Sequence, residues 1–339
     1  MNILFTCAGR RNYLINYFKM ALQGNGKVFA ADMQANAPAL IDADVSIIAP
    51  SIYDDTYLEF LKSVVTDHNI KAIISLNDLE LPLLSKHKSV LEDLRVKVIV
   101  SDPKAINIAF DKWETVNFLK KYNLKTPTTF IDLLEAKKAL KKGNLSFPVV
   151  VKPRWGSASI AVDFAEDEEE LNMVYKLQIN KLKKSILATA SKNDLDRAIL
   201  IQEKIDGVEY GMDVLNDLEG NYYGSFAREK LSMRSGETDK AISVIDEKLS
   251  KIGDVIGSNL KHIGNLDCDV FFNGTEYYVL ELNPRFGGGY PFSHEAGINT
   301  PAIYLDWLRG EYKVDHHNLY KAGIAFAKCD RLLNISQVL

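Results

Sequence analysis

Late in the chain, Glu281-Leu282-Asn283-Pro284-Arg285 places a carboxylate, a carboxamide and a guanidinium within five consecutive residues. An Asn273-Gly274 hairpin signal precedes it, flanked by Asp267-Cys268-Asp269-Val270-Phe271-Phe272 and by the run from Glu276 to Asn283. Side chains alternate along a strand, so parity decides which face each residue serves. The even positions Cys268, Val270, Phe272, Tyr278, Leu280 and Leu282 are apolar or aromatic and are expected to form a core face. The odd positions Asp267, Asp269, Glu281 and Asn283 carry the polar groups. A two-residue Asn-Gly turn would pair odd with even numbers and bury the aspartates. A three-residue loop with Gly274 in the left-handed conformation keeps the faces consistent, so a bulged turn is expected. Asp269, Glu281 and Asn283 then converge as hard oxygen donors, the set Mg²⁺ takes while it also binds phosphate oxygens.

Other residues suit phosphate and carboxylate chemistry. Pro148-Val149-Val150-Val151-Lys152-Pro153 ends an apolar strand on a lysine, whose buried charge would be costly without an anion to meet it. Arg228, Lys230 and Arg234, with Ser235-Gly236-Glu237-Thr238, read as a basic, turn-rich loop that would neutralise a transferring phosphoryl group, Arg228 first among them. The loop Cys7-Ala8-Gly9-Arg10-Arg11-Asn12 follows the first strand and opens a helix, where backbone N–H groups favour anions. Arg10, Arg11 and Asn12 are therefore candidates for a substrate carboxylate or phosphate. Asp32 and Asn77-Asp78-Leu79-Glu80 lie just past strand ends, where open α/β sheets place ligands, and rank second. Cys7 is not expected to be a nucleophile, since no histidine lies near it in sequence.

These groups need a scaffold. The 339 residues suit two or three packed units. Residues 1–102 alternate short apolar strands with amphipathic helices, the rhythm of a Rossmann-like parallel sheet, and Ser101-Asp102-Pro103 closes that unit. Residues 103–200 hold a helix over 104–122, a helix at 132–142, the strand ending at Lys152 and a charged stretch at 165–197. Residues 201–339 are richer in strands and should form an antiparallel sheet that carries the site. A net charge of −4 with intermixed signs argues against a nucleic-acid partner. Three isolated cysteines fit a reducing compartment, and no run approaches the ~20 apolar residues that span a bilayer. The start has basic residues after its apolar run, the reverse of a secretory signal, so a cytoplasmic location is expected.

Glu281-Leu282-Asn283-Pro284-Arg285, with an acidic residue twelve positions earlier, resembles the metal-binding hairpin of ATP-grasp enzymes, most closely biotin carboxylase and the carbamoyl phosphate synthetase large subunit. The resemblance implies an amino-terminal Rossmann-like domain that supports substrate, followed by a two-lobed ATP-grasp fold. It implies ATP and two Mg²⁺ ions, with Mn²⁺ as a substitute, held by Asp269, Glu281 and Asn283, and Arg285 facing the acyl-phosphate chemistry. Asp111-Lys112 matches the place of the first phosphate-contacting lysine, and Lys152 that of the lysine reaching the α- and β-phosphates. Gly156, Ser157 and Ser159 occupy the loop that folds over the phosphates, here poorer in glycine than is usual. In Gln202-Glu203-Lys204-Ile205-Asp206-Gly207 the backbone of Glu203 and Ile205 would meet adenine, and Glu209 the ribose hydroxyls.

The activity implied is phosphorylation of a small-molecule carboxylate and its capture by an amine or a thiol, with ATP converted to ADP and phosphate. A second reading is carbamoyl phosphate synthetase-like phosphorylation of bicarbonate or carbamate with partner proteins. A third is a nucleotide-binding sensor without turnover, which sits poorly with a full set of metal-ligand positions. A homodimer is the default assembly by general frequency.

Overall fold

The structure is a computed structural model that describes residues 1–156, 162–185, 187–191 and 194–335. The amino-terminal strands β1 (Asn2–Thr6), β2 (Val28–Asp32), β3 (Val45–Ile48), β4 (Ile70–Ser75) and β5 (Lys97–Ile99) form one parallel sheet in the order β3-β2-β1-β4-β5. Helices α1 (Asn12–Leu22), α2 (Pro38–Asp42), α3 (Tyr57–Asp67) and α4 (Leu81–Glu92) make the crossovers. The near-continuous apolar strands bury both faces, with Phe5 and Ile74 in one core and Leu4 and Ile73 in another. The strand order reverses between β1 and β4, which makes their carboxyl ends the ligand-binding edge of such a sheet. There Glu80, fully buried, accepts hydrogen bonds from Thr6 (2.7 Å), Ser75 (2.6 Å) and Tyr57 (2.6 Å), tying the two strand ends together.

The helix expected over 104–122 is two helices, α5 (Pro103–Phe110) and α6 (Lys112–Lys121). Asp111 breaks the run: its backbone is extended and its side chain caps the N–H groups of Trp113 and Glu114. Lys112 therefore opens α6. Strand β6 (Thr129–Phe130), helix α7 (Leu133–Lys141), strands β7 (Val149–Pro153) and β8 (Asp163–Ala165), helices α8 (Glu168–Lys183) and α9 (Ala188–Ser191), and strand β9 (Ile199–Glu203) follow. The strands form an antiparallel sheet ordered β6-β9-β7-β8, and α7 and α8 cover it through Ala136, Ala139 and Leu171.

A second antiparallel sheet, ordered β14-β13-β10-β11-β12-β15, combines β10 (Val208–Asn216), β11 (Tyr222–Arg234), β12 (Glu237–Val244), β13 (Gly264–Phe272), β14 (Tyr277–Asn283) and β15 (Ala325–Ala327). Met212, Val214, Cys268, Val270 and Leu282 make its apolar face, covered by α10 (Glu247–Leu260) and also by Ala105, Ala109, Phe118 and Leu119 of α5 and α6. Helices α11 (Tyr290–Glu295) and α12 (Thr300–Arg309) then return to the amino-terminal unit, packing Tyr290 and Tyr304 with Leu14 and Phe18 of α1. Among the described residues no helix is long and apolar enough to cross a membrane.

The β13–β14 hairpin corrects one expectation. Gly274 has positive φ (+94°), yet the turn pairs Asn273 with Glu276, and the register Phe272↔Tyr277 and Val270↔Val279 is odd with even. Parity is restored further along by a bulge between Val279 and Glu281, after which Asp269 faces Glu281 and Asp267 faces Asn283. Val279 thus joins the core, while Leu280, expected there, lines a cleft instead.

Close contact between α10 and the sheet depends on glycine. A Cβ on Gly253 would lie 1.9 Å from Ser225 Oγ and 2.8 Å from Ser225 Cβ. Gly253→Ala should lower the urea midpoint, because overpacking costs about 1–3 kcal/mol against a helix-propensity gain of about 1 kcal/mol. A midpoint above wild type would show that α10 can lift off the sheet freely.

Candidate active site

The six-stranded sheet turns a charged face toward the smaller sheet. Register places Gly211 beside both Arg228 and Asp269, Asp213 beside Asp267, and Asp269 beside Glu281, so carboxylates from three strands stand next to one another. Side by side they repel, and the structure answers with cations. Lys230 bonds Glu209 (2.6 Å) and Asp269 (2.7 Å), and Lys112 lies 3.3 Å from Glu281. Burial opposes the Lys230 charge, but Asp269 and Glu209 outweigh it and raise its pKa. Deeper in, Arg228 is 1% exposed and bonds Asp213 (2.6 Å), Asp267 (3.0 Å) and Ser293 (3.1 Å). Only glycine at 211 leaves it room, since a Cβ there would sit 2.9 Å from the guanidinium. Burial, with Asp269 close by, raises the pKa of Asp267 against the opposing pull of Arg228 and Arg285.

Between the two sheets lies a cavity of about 380 Å³. One end is ionic, with Lys112, Lys152, Lys230, Asp269 and Glu281; the other is flatter and apolar, with Val150, Phe164, Phe271 and Leu280 beside the Glu203–Gly207 segment. Lys152, 5% exposed at the end of β7, points into it. Burial pulls its pKa down to about 8, with Glu281 and Asp269 resisting and Lys112 reinforcing the drop. Strand β9 stops at Glu203, so the chain from Lys204 to Gly207 runs past the cleft outside the ladder. A ring system sliding over the apolar end would bring phosphates to the lysines.

Residues 109–289 match the family described as ATP-grasp domain, which is more than half of the chain, and residues 3–99 match the PylC-like, N-terminal domain. The chain belongs to the ATP-grasp family. It is 24% identical to the carbamoyl phosphate synthase large chain of Campylobacter jejuni over 271 residues, 76% of this chain and 23% of that one. It is 30% identical to the coenzyme gamma-F420-2:alpha-L-glutamate ligase of Methanocaldococcus jannaschii over 192 residues, 54% of this chain and 61% of that one. A biotin carboxylase from Campylobacter jejuni in complex with a β,γ-ATP ligand shares the fold, with a TM-score of 0.70 at 17% identity over 91% of this chain and 71% of that one. The chain thus spans about a quarter of the first curated relative and three fifths of the second.

In this ATP-grasp enzyme Lys112, Lys152, Lys230, Asp269 and Glu281 line one cleft with Gly156, Glu203, Lys204, Ile205 and Glu209. Asp111 builds the Lys112 corner, holding Arg154 by two bonds to Nε (2.7 and 2.9 Å) and one to Nη2 (2.7 Å). Lys112 also donates to the Gly156 carbonyl, and the positive φ at Gly156 (+120°) suits glycine there. Ser157 and Ser159 lie outside the described residues. The Lys204 side chain pairs with Asp206, and the Glu203 side chain accepts from the Thr128 N–H (2.9 Å).

Several expectations are corrected. The stretch 228–238 is a β-hairpin rather than a loop, so strand alternation drives Arg228 into the ion cluster, and Lys230, not Arg228, reaches the cleft between the sheets. Arg234 sits at the exposed tip, paired with Asp239 (3.0 Å) and Asp330 (2.9 Å). Asn12 is bonded to Asp42 (3.0 Å), and Asn77 caps a local turn through the Leu79 N–H (2.9 Å). Asn12 thus ties α1 to α2 through a side-chain pair, and Asn77 serves its own turn. Arg285 and Asp78 meet instead: Nε and Nη2 donate to one carboxylate oxygen at 2.9 and 2.7 Å, joining the hairpin to the β1/β4 edge. Arg11 donates to the Phe286 carbonyl, and Arg10 stands exposed beside it. Burial has pushed the Cys7 thiol pKa up, with Glu80 adding to it, so the thiol stays protonated and unreactive.

Asp213 and Ser293, absent from the sequence-based set, hold Arg228. The signal for Asp213 was available: it is four residues from Glu209 and shares its face by the same parity used on β13. Glu237 was seen only as part of a turn. Burial would raise its pKa, but Lys328, Arg11 and Arg10 outweigh that and hold the carboxyl below its ordinary value.

The residues fit Mg²⁺. Two carboxylates and an amide oxygen project from directly paired strands, and lysine ammonium groups lie against both carboxylates, as expected where a cation has a place. Lys152 supplies a pH test. Above about pH 8 its amine is largely neutral in the free protein, and phosphates arriving beside it must draw a proton back. Between pH of about 7 and about 9, ADP affinity should therefore fall while proton uptake on binding rises. Calorimetric titration in buffers of different ionisation heat measures this. Uptake unchanged in Lys152→Met would assign the proton to another group.

Proposed function

We propose that the protein is an ATP-dependent carboxylate–amine ligase that works through an acyl phosphate. The observation that carries this is the meeting of two pairs: Lys112 and Lys152 face Asp269 and Glu281 at one end of the cleft, and Arg285, two residues past Asn283, binds Asp78 at the ligand edge of the amino-terminal sheet. Nucleotide would lie on the lobe side of that junction and the carboxylate on the other. A carboxylate oxygen attacks the γ-phosphorus, the bond to the β-phosphate oxygen breaks, and ADP leaves. An amine then attacks the acyl carbon, loses a proton, and expels phosphate, a far better leaving group than oxide. Lys112 and Lys152 orient the phosphates, and Lys230 accompanies the γ-phosphoryl group. Mg²⁺, two ions on this reading with Mn²⁺ as a substitute, would be held by Asp269, Glu281 and Asn283 and would offset charge building on the transferred group.

On the proposed substrate side the groups about Glu237 are cationic. Arg10, Arg11 and Lys328 surround Glu237, whose carboxylate is 3.3 Å from Lys328, beneath the close approach of Gly288. That setting suits a carboxylate with one amine nearby for Glu237. The glutamate ligase relative, which acts on such groups by its name, supports the reading. Similarity to carbamoyl phosphate synthase over 76% of the chain keeps a second reading in play, phosphorylation of bicarbonate or carbamate with partner proteins. ADP release with bicarbonate alone, in the absence of any amino acid, would favour it.

Screening ADP release over amino acids and small carboxylates, with amines added pairwise, identifies the substrates. Glu281→Gln should lower substrate-dependent ADP release by on the order of 10²–10³-fold with little change in the melting temperature, and near-normal turnover would sink the assignment. Arg10→Glu should raise the KM for the carboxylate about tenfold, a loss of ~1.4 kcal/mol, without changing the KM for ATP. A rise in both would place Arg10 at the nucleotide.

A further inference from the structure

Sharing no lining residue with the cleft between the sheets, a larger open cavity of about 900 Å³ lies between the amino-terminal unit and α12, lined by Tyr17, Met20, His294, Asp306, His316 and His317 among others. None of these groups belongs to the ATP chemistry. We infer that Asp306, His316 and His317 form a binding site for a divalent transition-metal ion, with Zn²⁺ as the reference ligand.

The geometry is close to what such an ion needs. Asp306 Oδ2 lies 2.8 Å from His317 Nε2 and 3.9 Å from His316 Nε2, and the three ligand atoms fall within 4.8 Å of one another. In a tetrahedral zinc site with bonds of about 2.0–2.1 Å, neighbouring ligand atoms are about 3.3 Å apart. The His–Asp separations bracket that spacing. The histidine that must move is His316, 64% exposed and therefore free to swing. His317 is anchored: its N–H donates to the Val314 carbonyl (2.9 Å) and its carbonyl accepts from Asn299 (3.0 Å), the residue that caps α12.

The carboxylate is divided between two duties. Oδ1 of Asp306 accepts from Arg309 (3.0 Å), while Oδ2 alone faces the imidazoles, so the aspartate is already aimed by an outer partner. In the metal-free state the short His317–Asp306 contact is a hydrogen bond, and an ion would take the place of its proton. His294, on the same cavity wall, has its pKa pulled to about 4 by burial and so brings no competing positive charge. Two imidazoles with one carboxylate favour zinc, nickel or cobalt over magnesium. Three protein ligands leave a fourth position, which the cavity can fill with water or a small anionic ligand.

The test uses the full chain saturated with MgCl₂ and ADP, so that the nucleotide cleft is occupied, and titrates Zn²⁺ against a chromophoric chelator. One equivalent should bind in wild type and in Glu281→Gln, and Co²⁺ in its place should give the visible absorption of a low-coordinate site. In the His316→Ala/His317→Ala double variant that equivalent and the Co²⁺ bands should vanish, and His316→Ala alone should weaken binding about tenfold or more. Circular dichroism of the exposed-residue variant His316→Ala checks folding. Absence of a zinc equivalent in wild type, its retention in the double variant, or its loss in Glu281→Gln would each overturn the proposal.

Discussion

Burying a row of carboxylates on one face of a sheet is the constraint on which the rest of this structure depends. Asp213, Asp267, Asp269 and Glu281 lie on neighbouring strands in direct register, and left alone their mutual repulsion, about 3 kcal/mol for each neighbouring pair, would rival a domain's whole net stability. The protein neutralises them in two ways. At the deep end arginines are locked in: Arg228 between Asp213 and Asp267, Arg285 on Asp78. At the open end the cations are lysines, Lys230 on Asp269 and Glu209, and Lys112 on Glu281. Guanidinium forks hold fixed geometry, whereas an ammonium on a flexible stem can change partners. The division therefore separates a rigid foundation from a more adaptable surface, where, on the proposed function, phosphates would draw the lysines away as a metal ion reached the carboxylates.

That separation explains which parts of the site were legible in the sequence. Lys152 could be read because a lysine closing the run Val149-Val150-Val151 has no solvated alternative, and it is indeed buried at a strand end. The common face of Asp267 and Asp269 could be read from period-two alternation along β13, but on β14 alternation breaks at Val279 and Leu280, and Glu281 and Asn283 reach that face only through the bulge. The parallel sheet of the first hundred residues was equally plain, since its apolar strands alternate with amphipathic helices. Arg228 and Arg234 could not be told apart in the same way. Serine, glycine and threonine at 235, 236 and 238 suggested a loop, and only the long-range pairing of β11 with β10 and β12 sets the parity that buries one arginine and exposes the other.

The hairpin shows how a right answer can rest on a different local structure. Asp269 and Glu281 do face each other, yet the turn supplies none of the parity correction, and a bulge between Val279 and Glu281 supplies all of it. A bulge that far from the turn has no short-range sequence signature, because its cause lies elsewhere. The Val279 N–H donates to the Lys125 carbonyl (2.8 Å), so the strand is pulled toward the segment following α6 at the position where register slips. The consequence is functional. Leu280 is released from the core to line the cleft, adding apolar surface there that the proposed function would use for a base.

The same logic connects the amino-terminal unit to catalysis. Arg285 is bonded to Asp78 and Arg11 to the Phe286 carbonyl, while Glu80, two residues from Asp78, locks the ends of β1 and β4 through three hydroxyl groups. Displacement of Asp78 would disturb that hydroxyl cluster or break the Arg285 pair, and either would reach the hairpin that carries Glu281. The carboxyl edge of the first sheet and the β13–β14 hairpin of the last are thus held as one body by charge-assisted bonds, which are shorter and stronger than neutral ones. A substrate lying on that edge meets a surface whose position relative to the phosphate site is already set. The remaining freedom belongs to the exposed Arg10 and to Lys328 with Glu237, and on the proposed function it is there that one carboxylate would be told from another.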